Sequence, residues 1–230
     1  MNRKRTQDHP PLPHRGHRLA WFGWGAGALF LVLGVRMTLD SDPSSIDRAV
    51  NDAMASVQQP TVRAVAALFC WPGEGTYQPA IFCVVMTGVL FVLGARRWAV
   101  LFAVASGLAG IVSVAVKWLV DRPRPDTAGM HRTSLAYAAS FPSGHVAFYG
   151  AMFLVVALMA YYGMKSRAGR NLIGIVCVLG VVVTGLSRLY LRVHWFSDVL
   201  GGACLAVWAT GITVCLMLRA WPGVHPGDTD

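Results

Sequence analysis

Residues 98–120, WAVLFAVASGLAGIVSVAVKWLV, form a predominantly apolar run in which Lys117 is the first charged side chain. A helix needs about 20 mostly apolar residues to cross the hydrocarbon core of a bilayer. Five further runs come near this length: Leu19–Val35, Tyr77–Gly94, Val146–Met164, Leu172–Leu191 and Val199–Leu218. Because a helix satisfies its own backbone hydrogen bonds in lipid, the sequence predicts an all-α integral membrane bundle of about six transmembrane helices.

The composition agrees with this class of protein. The chain has 230 residues, of which 55% are hydrophobic and 13% charged, as in membrane proteins. We predict one six-helix membrane domain over residues 19–219. Residues 1–18 and 220–230 are polar and contain proline, which predicts two disordered cytoplasmic tails. Val57–Trp71 predicts a short amphipathic helix at the outer membrane interface.

The charged and cysteine residues argue against several other classes of protein. The formal net charge is +9, but the basic residues are dispersed among the connections, so we expect no nucleic-acid partner. The five cysteines lie in or beside apolar runs, with no CxxC pair and no histidine at zinc-ligand spacing. We therefore expect no metal site and interpret the cysteines as small buried apolar side chains.

The distribution of basic residues predicts the orientation of the chain. Basic clusters precede the first predicted span and follow the second and the fourth: Arg3, Lys4, Arg5, Arg15 and Arg18; Arg96 and Arg97; Lys165, Arg167 and Arg170. The positive-inside rule places these clusters and both termini in the cytoplasm. Connections 36–76, 121–145 and 192–198 then face outward from the cytoplasmic membrane. The last two are unusually rich in arginine and histidine, which the orientation does not explain.

The first of three polar motifs is KWLVDRPRP, residues 117–125. Lys117 ends the third predicted span, and Arg124 and Pro125 follow in a short loop. Taken alone, this motif is better explained by a lysine whose amine reaches the membrane surface and by interfacial arginines.

The second motif, FPSGH at residues 141–145, opens the fourth predicted span. Proline suits the first turn of a helix, where free N–H groups and the helix dipole bind anions such as phosphate. A plain helix start explains Pro142 and a Ser143 cap, but gives no reason for Gly144 and His145. Glycine would allow the backbone to approach a ligand closely.

The third motif, SRLYLRVHWFSD at residues 187–198, joins the last two predicted spans. His194 and Asp198 are four residues apart, so on a helix they share a face and the carboxylate can hold one ring nitrogen of the imidazole. The other nitrogen is then available as a nucleophile. A structural hydrogen bond explains an isolated pair equally well.

Together the motifs contain the groups that phosphoryl transfer requires. They supply two histidines, one carboxylate, a helix N-terminus and three cations, which are Lys117, Arg124 and Arg188. Positive charge and N–H donors stabilise the phosphoryl oxygens, and a second histidine can protonate the departing oxygen. All three motifs are predicted on the same membrane face, which separate structural roles would not explain.

At these residues the sequence resembles the type 2 phosphatidic acid phosphatase superfamily, which shares its site with vanadium haloperoxidases and certain soluble acid phosphatases. The family pattern is Lys, six residues, Arg-Pro; then Pro-Ser-Gly-His; then Ser-Arg, five residues, His, three residues, Asp. The chain matches every position, with Lys117, Arg124, Pro125, Pro142, Ser143, Gly144, His145, Ser187, Arg188, His194 and Asp198.

The resemblance implies a role for each polar residue of the pattern. His194 would attack phosphorus and form a phosphohistidine, Asp198 would orient it, and His145 would be the general acid. The phosphate oxygens would be bound by Lys117, Arg124, Ser143, Gly144 through its backbone N–H, and Arg188. The family works without a metal ion, and we expect no cofactor.

Several residues within the motifs lie outside the family pattern. Arg192 is interpreted as an interfacial residue, and Arg122 as a contact for a headgroup or a second phosphate. Exposure to solvent or lipid explains both at least as well. Trp118, Tyr190 and Trp195 are predicted to belong to the aromatic belt at the membrane surface.

The resemblance implies a membrane lipid phosphatase that acts, on the extracytoplasmic side, on a terminal phosphate of undecaprenyl diphosphate, phosphatidic acid or phosphatidylglycerol phosphate. Two alternatives stay open. One is a lipid phosphotransferase with the same intermediate. The other, which is less favoured, is a lipid or anion transporter, because a conduit needs polar groups at mid-depth and these charges lie at the ends of the predicted spans.

Overall fold

The computed structural model describes residues 15–74, 77–125 and 139–220. These residues form eight α helices: α1 (Arg15–Leu39), α2 (Ser45–Ser56), α3 (Pro60–Cys70), α4 (Gln78–Val92), α5 (Arg96–Val120), α6 (Gly144–Gly163), α7 (Arg167–Tyr190) and α8 (Phe196–Ala220). A short 3₁₀ turn, Trp71–Gly73, follows α3. The predicted all-α class is confirmed.

Five helices within the described ranges are long and apolar enough to cross a membrane, namely α5 to α8 and α1 over Trp21–Leu39. α4 has only 15 residues, or about 22 Å of helix, against roughly 30 Å of hydrocarbon. It qualifies only together with Pro60–Gly73, relative to which it is bent by 65°. The described residues therefore contain five candidate spans, or six if this bent pair is one span, in agreement with the prediction of about six.

Local sequence signals explain where individual helices begin and end. Pro79 lies in the first turn of α4, where its missing N–H costs nothing. The Ser166 hydroxyl accepts a hydrogen bond from the Gly169 N–H and so caps the start of α7. Asp121 ends α5 in the left-handed conformation, at φ 42°, and this turns the chain into the Arg-Pro loop of the first motif.

The centre of the bundle is α8, which contacts α1, α5 and α6. Where α5, α6 and α8 meet, the core consists mostly of alanine: Ala109, Ala147, Ala151, Leu205, Ala206 and Ala209. In lipid, helices associate through close packing of small residues and not through exclusion of water. Larger apolar side chains, such as Ile111 and Leu119, face outward, where the bilayer would cover them.

Gly202 on α8 marks a close approach to the start of α6. A Cβ at this position would lie 2.6 Å from the Ser143 carbonyl oxygen, a backbone atom that cannot move aside as a flexible side chain can. We expect Gly202→Ala to lower the stability of the detergent-purified protein by about 1–3 kcal/mol, measured by thermal unfolding. Gly174→Ala on α7 is the matched control, because a Cβ there meets nothing within 4 Å. A midpoint for Gly202→Ala that is no lower than that of the control would contradict the prediction.

Two helices occupy the connection between α1 and α4, where one was predicted. α3 lies within the predicted Val57–Trp71 segment, whereas α2 was not predicted. Ser44 caps α2, because its hydroxyl accepts from the Asp47 N–H at 3.1 Å while the Asp47 carboxylate accepts from the Ser44 N–H at 3.1 Å, a reciprocal capping box. Both helices pack against α7, and the Gln58 amide donates to the Tyr190 carbonyl at 2.9 Å.

Most of the two predicted tails, residues 1–14 and 221–230, lies outside the described residues. α1 begins at Arg15, four residues ahead of the predicted start of the first span. α5, α6, α7 and α8 also begin a few residues earlier than the apolar runs indicated. The reason is the same in each case: helices begin with a polar or small first turn, which a count of apolar residues leaves out.

Candidate active site

The three polar motifs meet at one end of the bundle, where α5 and α7 end and α6 and α8 begin. The Ser143 N–H donates to the Asp198 carbonyl at 3.0 Å and joins the second motif to the third. Arg124 Nη1 donates to the Val193 carbonyl at 3.1 Å and joins the first motif to the third. The segments that the sequence separates are therefore parts of one site.

The three cations that were predicted to bind phosphate all lie in this site. Lys117 is buried, and its Nζ donates to the carbonyls of Ala139 at 2.8 Å and Ser140 at 3.3 Å. Arg188 is also buried, at 3% exposure, and Arg124 is held by the Val193 carbonyl. Main-chain carbonyls thus hold Lys117 and Arg124 near the start of α6, and the Glu74 carboxylate holds Arg188.

Ser143 is the N-cap residue of α6 and Gly144 is its first residue. The first N–H groups of a helix have no partner within the helix and, with the helix dipole, they favour an anion. Ser143 is fully buried, yet its hydroxyl makes no capping hydrogen bond and has no partner within the described part of the chain. Helix capping, which was the alternative to anion binding, is therefore not the role of this hydroxyl.

His194 is buried in the turn between α7 and α8. Its Nδ1 lies 3.5 Å from Asp198 Oδ2, which is longer than a hydrogen bond, as is frequent for catalytic contacts without substrate. Burial lowers the pKa of His194 well below its usual value, and the positive charges of Arg124, Lys117 and Arg188 lower it further. His194 is thus neutral at neutral pH, and a neutral imidazole keeps the lone pair that a nucleophile needs.

Buried polar atoms without a hydrogen-bond partner among the described residues include Ser143 Oγ, His145 Nε2 and Arg188 Nε. Buried polar groups are normally paired. These three atoms converge here from the start of α6 and the end of α7. This is the pattern expected of a site that binds a ligand with several oxygens.

His145, the second residue of α6, lies against the segment that follows α3. A Cβ at Gly73 would lie 2.8 Å from His145 Cδ2, so only glycine allows this approach. Glu74 Oε1 lies 3.7 Å from His145 Nε2 and accepts a hydrogen bond from Arg188 Nη1 at 2.6 Å. The connection between α1 and α4 therefore contributes to the site, which the motifs did not indicate.

Arg122 is fully buried, at 0% exposure, and contacts two carboxylates. Its Nη1 donates to Asp198 Oδ1 at 2.6 Å and its Nη2 donates to Asp47 Oδ2 at 2.9 Å. Nη1 also donates to Ser197 Oγ at 2.8 Å, and Nε donates to the Ser41 carbonyl at 3.2 Å. The prediction of a solvated, lipid-facing or headgroup-binding Arg122 was therefore wrong. Its partner Asp47 comes from α2, a helix that the apolar runs did not reveal.

Asp47 connects α2 to the start of α8. Its Oδ1 accepts hydrogen bonds from the N–H and the hydroxyl of Ser197, both at 2.9 Å. Burial raises the pKa of Asp47, but the hydrogen bonds from Ser197, Arg122 and the Ser44 N–H outweigh this and leave the pKa below its usual value. Asp47 is therefore ionised at neutral pH and balances the charge of Arg122.

A model of the PAP2 superfamily matches residues 98–222, which is more than half of the chain and contains all three motifs. The chain belongs to the PAP2 superfamily. The family that the motif positions predicted is thereby confirmed.

Relatives of this PAP2 chain carry the names of lipid phosphatases. Phosphatidylglycerophosphatase B from Bacillus subtilis (strain 168) is 28% identical over 182 residues, which cover 77% of this chain and 86% of that protein. Undecaprenyl-diphosphatase BcrC from the same organism is 32% identical over 111 residues, which cover 47% of this chain and 52% of that protein.

Two solved structures resemble the PAP2 chain in fold. The first transmembrane PAP2 type phosphatidylglycerolphosphate phosphatase from Bacillus subtilis aligns with a TM-score of 0.70 at 22% identity, over 89% of this chain and 100% of that one. LpxE from Aquifex aeolicus aligns with a TM-score of 0.53 at 20% identity, over 74% of this chain and 92% of that one. The transmembrane fold and the apolar helices together identify an integral membrane protein.

One of the tryptophans of this PAP2 chain differs from its predicted role. Trp195 is only 8% exposed, and its indole N–H donates to the Pro123 carbonyl at 2.8 Å. It therefore supports the Arg-Pro loop from within the protein and does not belong to a membrane-surface belt. Trp118, at 59% exposure, fits the belt prediction.

Two other residues of the third motif contact α2 and the residue that follows it. The Tyr190 hydroxyl donates to the Val57 carbonyl at 3.0 Å, and Arg192 Nε donates to Asn51 Oδ1 at 3.1 Å. Arg192 was predicted to be interfacial, and the structure adds that its side chain contacts α2. These contacts join the connection between α1 and α4 to the third motif.

Glu74 already accepts a hydrogen bond from Arg188 Nη1, so it would compete with the phosphate that Arg188 is predicted to bind. This gives a direct test of the position of Glu74. We expect Glu74→Gln to lower the inhibition constant of inorganic phosphate by about three- to fivefold, the effect of one partly exposed ion pair. The readout is inhibition of phosphatase activity in detergent. Asp52→Asn is the matched control, because it removes an exposed carboxylate of α2 and should leave the constant unchanged. An equal change in both variants would indicate a general charge effect instead.

Proposed function

We propose that this PAP2 protein is a membrane lipid phosphatase that releases the terminal phosphate of a lipid phosphate or diphosphate through a phosphohistidine on His194. The named relatives support a phosphatase that acts on lipid phosphates. The observation that carries the mechanism is a buried, neutral His194 placed beside the Asp198 carboxylate and among three cations. A nucleophile, its orienting group and a site for the phosphoryl oxygens are then within one cluster.

In the first step, His194 Nε2 attacks the terminal phosphorus while its bond to the leaving oxygen breaks; this oxygen is the ester oxygen of a lipid phosphate or the bridging oxygen of a lipid diphosphate. His145 gives a proton to that departing oxygen, and Asp198 stabilises the positive charge on the phosphorylated imidazole. In the second step, water attacks phosphorus, the phosphorus–nitrogen bond breaks, and His145 takes the proton of the water. Orthophosphate leaves, and both histidines return to their first state.

The phosphoryl oxygens are bound by Lys117, Arg124, Arg188 and the start of α6 at Ser143 and Gly144. Charge on these oxygens spreads as the bond to the leaving group breaks, so fixed positive groups stabilise the transition state more than the ground state. The buried unpartnered atoms of Ser143 and Arg188 support this role, since an oxyanion would satisfy both.

The candidate substrates are lipids whose terminal phosphate reaches the membrane surface. The names of the relatives point to phosphatidylglycerol phosphate and undecaprenyl diphosphate, and phosphatidic acid has the same phosphate ester chemistry as the first. In each case the bilayer would hold the apolar tail while the cations bind the phosphate. The site lies at one end of the bundle, as such a substrate requires.

We place the site on the extracytoplasmic side, with both termini in the cytoplasm. The basic clusters that follow α4 and α6 lie at the opposite end of the bundle from the site, and the positive-inside rule assigns that end to the cytoplasm. The test uses a variant without the native cysteines, in sealed cells. A membrane-impermeant maleimide should label Asp52→Cys and should not label Lys165→Cys. The reverse pattern would refute this orientation.

The substrate is tested with a panel of purified lipids in detergent: undecaprenyl diphosphate, phosphatidic acid and phosphatidylglycerol phosphate. We expect release of orthophosphate from at least one of them by the wild-type protein and none by His194→Ala. Transfer of the phosphate to another lipid, with no orthophosphate, would identify a phosphotransferase. No turnover of any of the three by well-folded protein would refute the proposed function.

A further inference from the structure

We propose that Arg122 and Asp47 are positioning residues that hold the Asp198 carboxylate beside His194, so that α2 takes part in catalysis. The inference rests on the proposed role of His194 as nucleophile. It assigns a function to two charged residues that the family pattern leaves out.

Each oxygen of the Asp198 carboxylate is held by a separate donor. Oδ1 accepts from Arg122 Nη1 at 2.6 Å, and Oδ2 accepts from the Trp195 N–H at 2.7 Å. Oδ2 is also the oxygen that faces His194 Nδ1 at 3.5 Å. Without Arg122, the carboxylate would keep only one of these donors and could turn about its last side-chain bond, which would move Oδ2 relative to the imidazole.

Arg122 has little capacity left for any other role. A guanidinium has five N–H donors, and four of them are used, by the Ser41 carbonyl, Ser197 Oγ, Asp198 and Asp47. The side chain is also fully buried, so in this arrangement it does not reach a substrate phosphate. Its effect on the reaction therefore passes through Asp198.

Asp47 fixes Arg122 in turn, because the two groups form a buried ion pair at 2.9 Å. The Asp47 carboxylate is itself held by the capping box at the start of α2 and by Ser197, the residue next to Asp198. A chain of charged contacts thus runs from Asp47 on α2 through Arg122 to Asp198, whose Oδ2 faces His194. Hydrogen bonds between charged groups are short and strong, so this chain restricts the position of each member.

The test compares kcat and KM for the wild-type protein and its variants. We expect Arg122→Gln to lower kcat by about 10- to 100-fold, as the loss of a group that orients a side chain of the functional site does. The KM should change by less than about twofold, because Arg122 does not reach the substrate. Arg122→Lys keeps the positive charge and should recover part of the loss. Asp47→Asn should lower kcat in the same direction, by about tenfold.

Arg192→Gln is the matched control. Arg192 also donates from the third motif to α2, through Asn51, but this contact is separate from Asp198. If α2 mattered only as a structural support, Arg192→Gln and Arg122→Gln would lower kcat alike. We expect kcat of Arg192→Gln to stay within about twofold of the wild type.

A double-mutant cycle separates positioning from general damage. In the background of Asp198→Asn, Arg122→Gln should lower kcat by less than about threefold, because the group on which it acts is already lost. A full 10- to 100-fold loss in that background, or a wild-type kcat for Arg122→Gln, would overturn the proposal. If Arg122→Gln does not fold in detergent, Arg122→Lys and Asp47→Asn in the same background decide the question.

The outcomes distinguish this inference from the proposed function. Full activity of His194→Ala would refute the proposed mechanism itself. An inactive His194→Ala together with unchanged kcat values for Arg122→Gln and Asp47→Asn would refute only the positioning role.

Discussion

His194→Ala is expected to lower the release of phosphate from a lipid substrate by at least about 10⁴-fold, because no other group in the cluster can replace the nucleophile. The measurement is orthophosphate release by detergent-purified protein. Wild-type activity should be the same with and without EDTA. Arg192→Gln, a variant in the same turn, should keep nearly all activity.

The intermediate offers a second readout for the same variant. Wild-type protein that is quenched in alkali during turnover of a lipid labelled in its terminal phosphate should retain label on His194, since phosphohistidine survives alkali. His194→Ala should retain none. Turnover by this variant at a tenth of the wild-type rate or more would remove His194 from the mechanism, whatever its position in the cluster.

Asp198→Asn is expected to lower kcat by about 10³- to 10⁴-fold with little change in KM, as a carboxylate that orients a catalytic histidine does when it becomes an amide. The amide cannot stabilise the positive imidazole, and it lets the imidazole adopt the other tautomer. The amide oxygen can still accept a hydrogen bond from Arg122 or from the Trp195 N–H, so the fold should persist. The measurement is kcat and KM on the preferred lipid, with thermal unfolding as the control for folding. A loss of less than tenfold would mean that Asp198 has only a structural role.

The spans could be predicted from the sequence because the solvent for these helices is lipid. Runs such as 98–120 must be apolar along most of their length, and this signal needs no knowledge of the partner helix. α4 is the exception, because the helix has only 15 residues and reaches a spanning length only together with Pro60–Gly73. Such a bend depends on tertiary packing, which a hydropathy window does not contain.

Within the site, the sequence indicated the residues that we propose contact phosphate, but not the residues that hold them in place. His194, Asp198 and Lys117 occur at fixed spacing, and the structure brings them together. Glu74 and Gly73 precede the motifs by dozens of residues and reach His145 only through the fold. Their neighbourhood, WPGE, carries no periodic or spacing signal that could have placed them.

The buried ion pair of Arg122 and Asp47 was not predicted from the sequence, for a different reason. Arg122 lies two residues before the matched position Arg124, in a loop where an arginine at a membrane surface is normally solvated. Its buried state depends on two carboxylates, one of which comes from α2. The Ser-x-x-Asp pattern at Ser44 and Asp47 is a visible signal for a helix start, and it could have revealed α2, though not the ion pair that α2 makes.

The contact between α1 and α8 has a consequence for how the protein is made. The first span and the last are direct neighbours, so α1 enters the bilayer long before its partner has been synthesised. Ser197 and Asp198, the partners of Arg122 on α8, are synthesised only at that late stage. We expect a ribosome-bound chain that ends before α8 to be inserted but inactive, and activity to arise only when α8 joins the bundle. Synthesis of the last helix thus controls when the membrane first contains a working site.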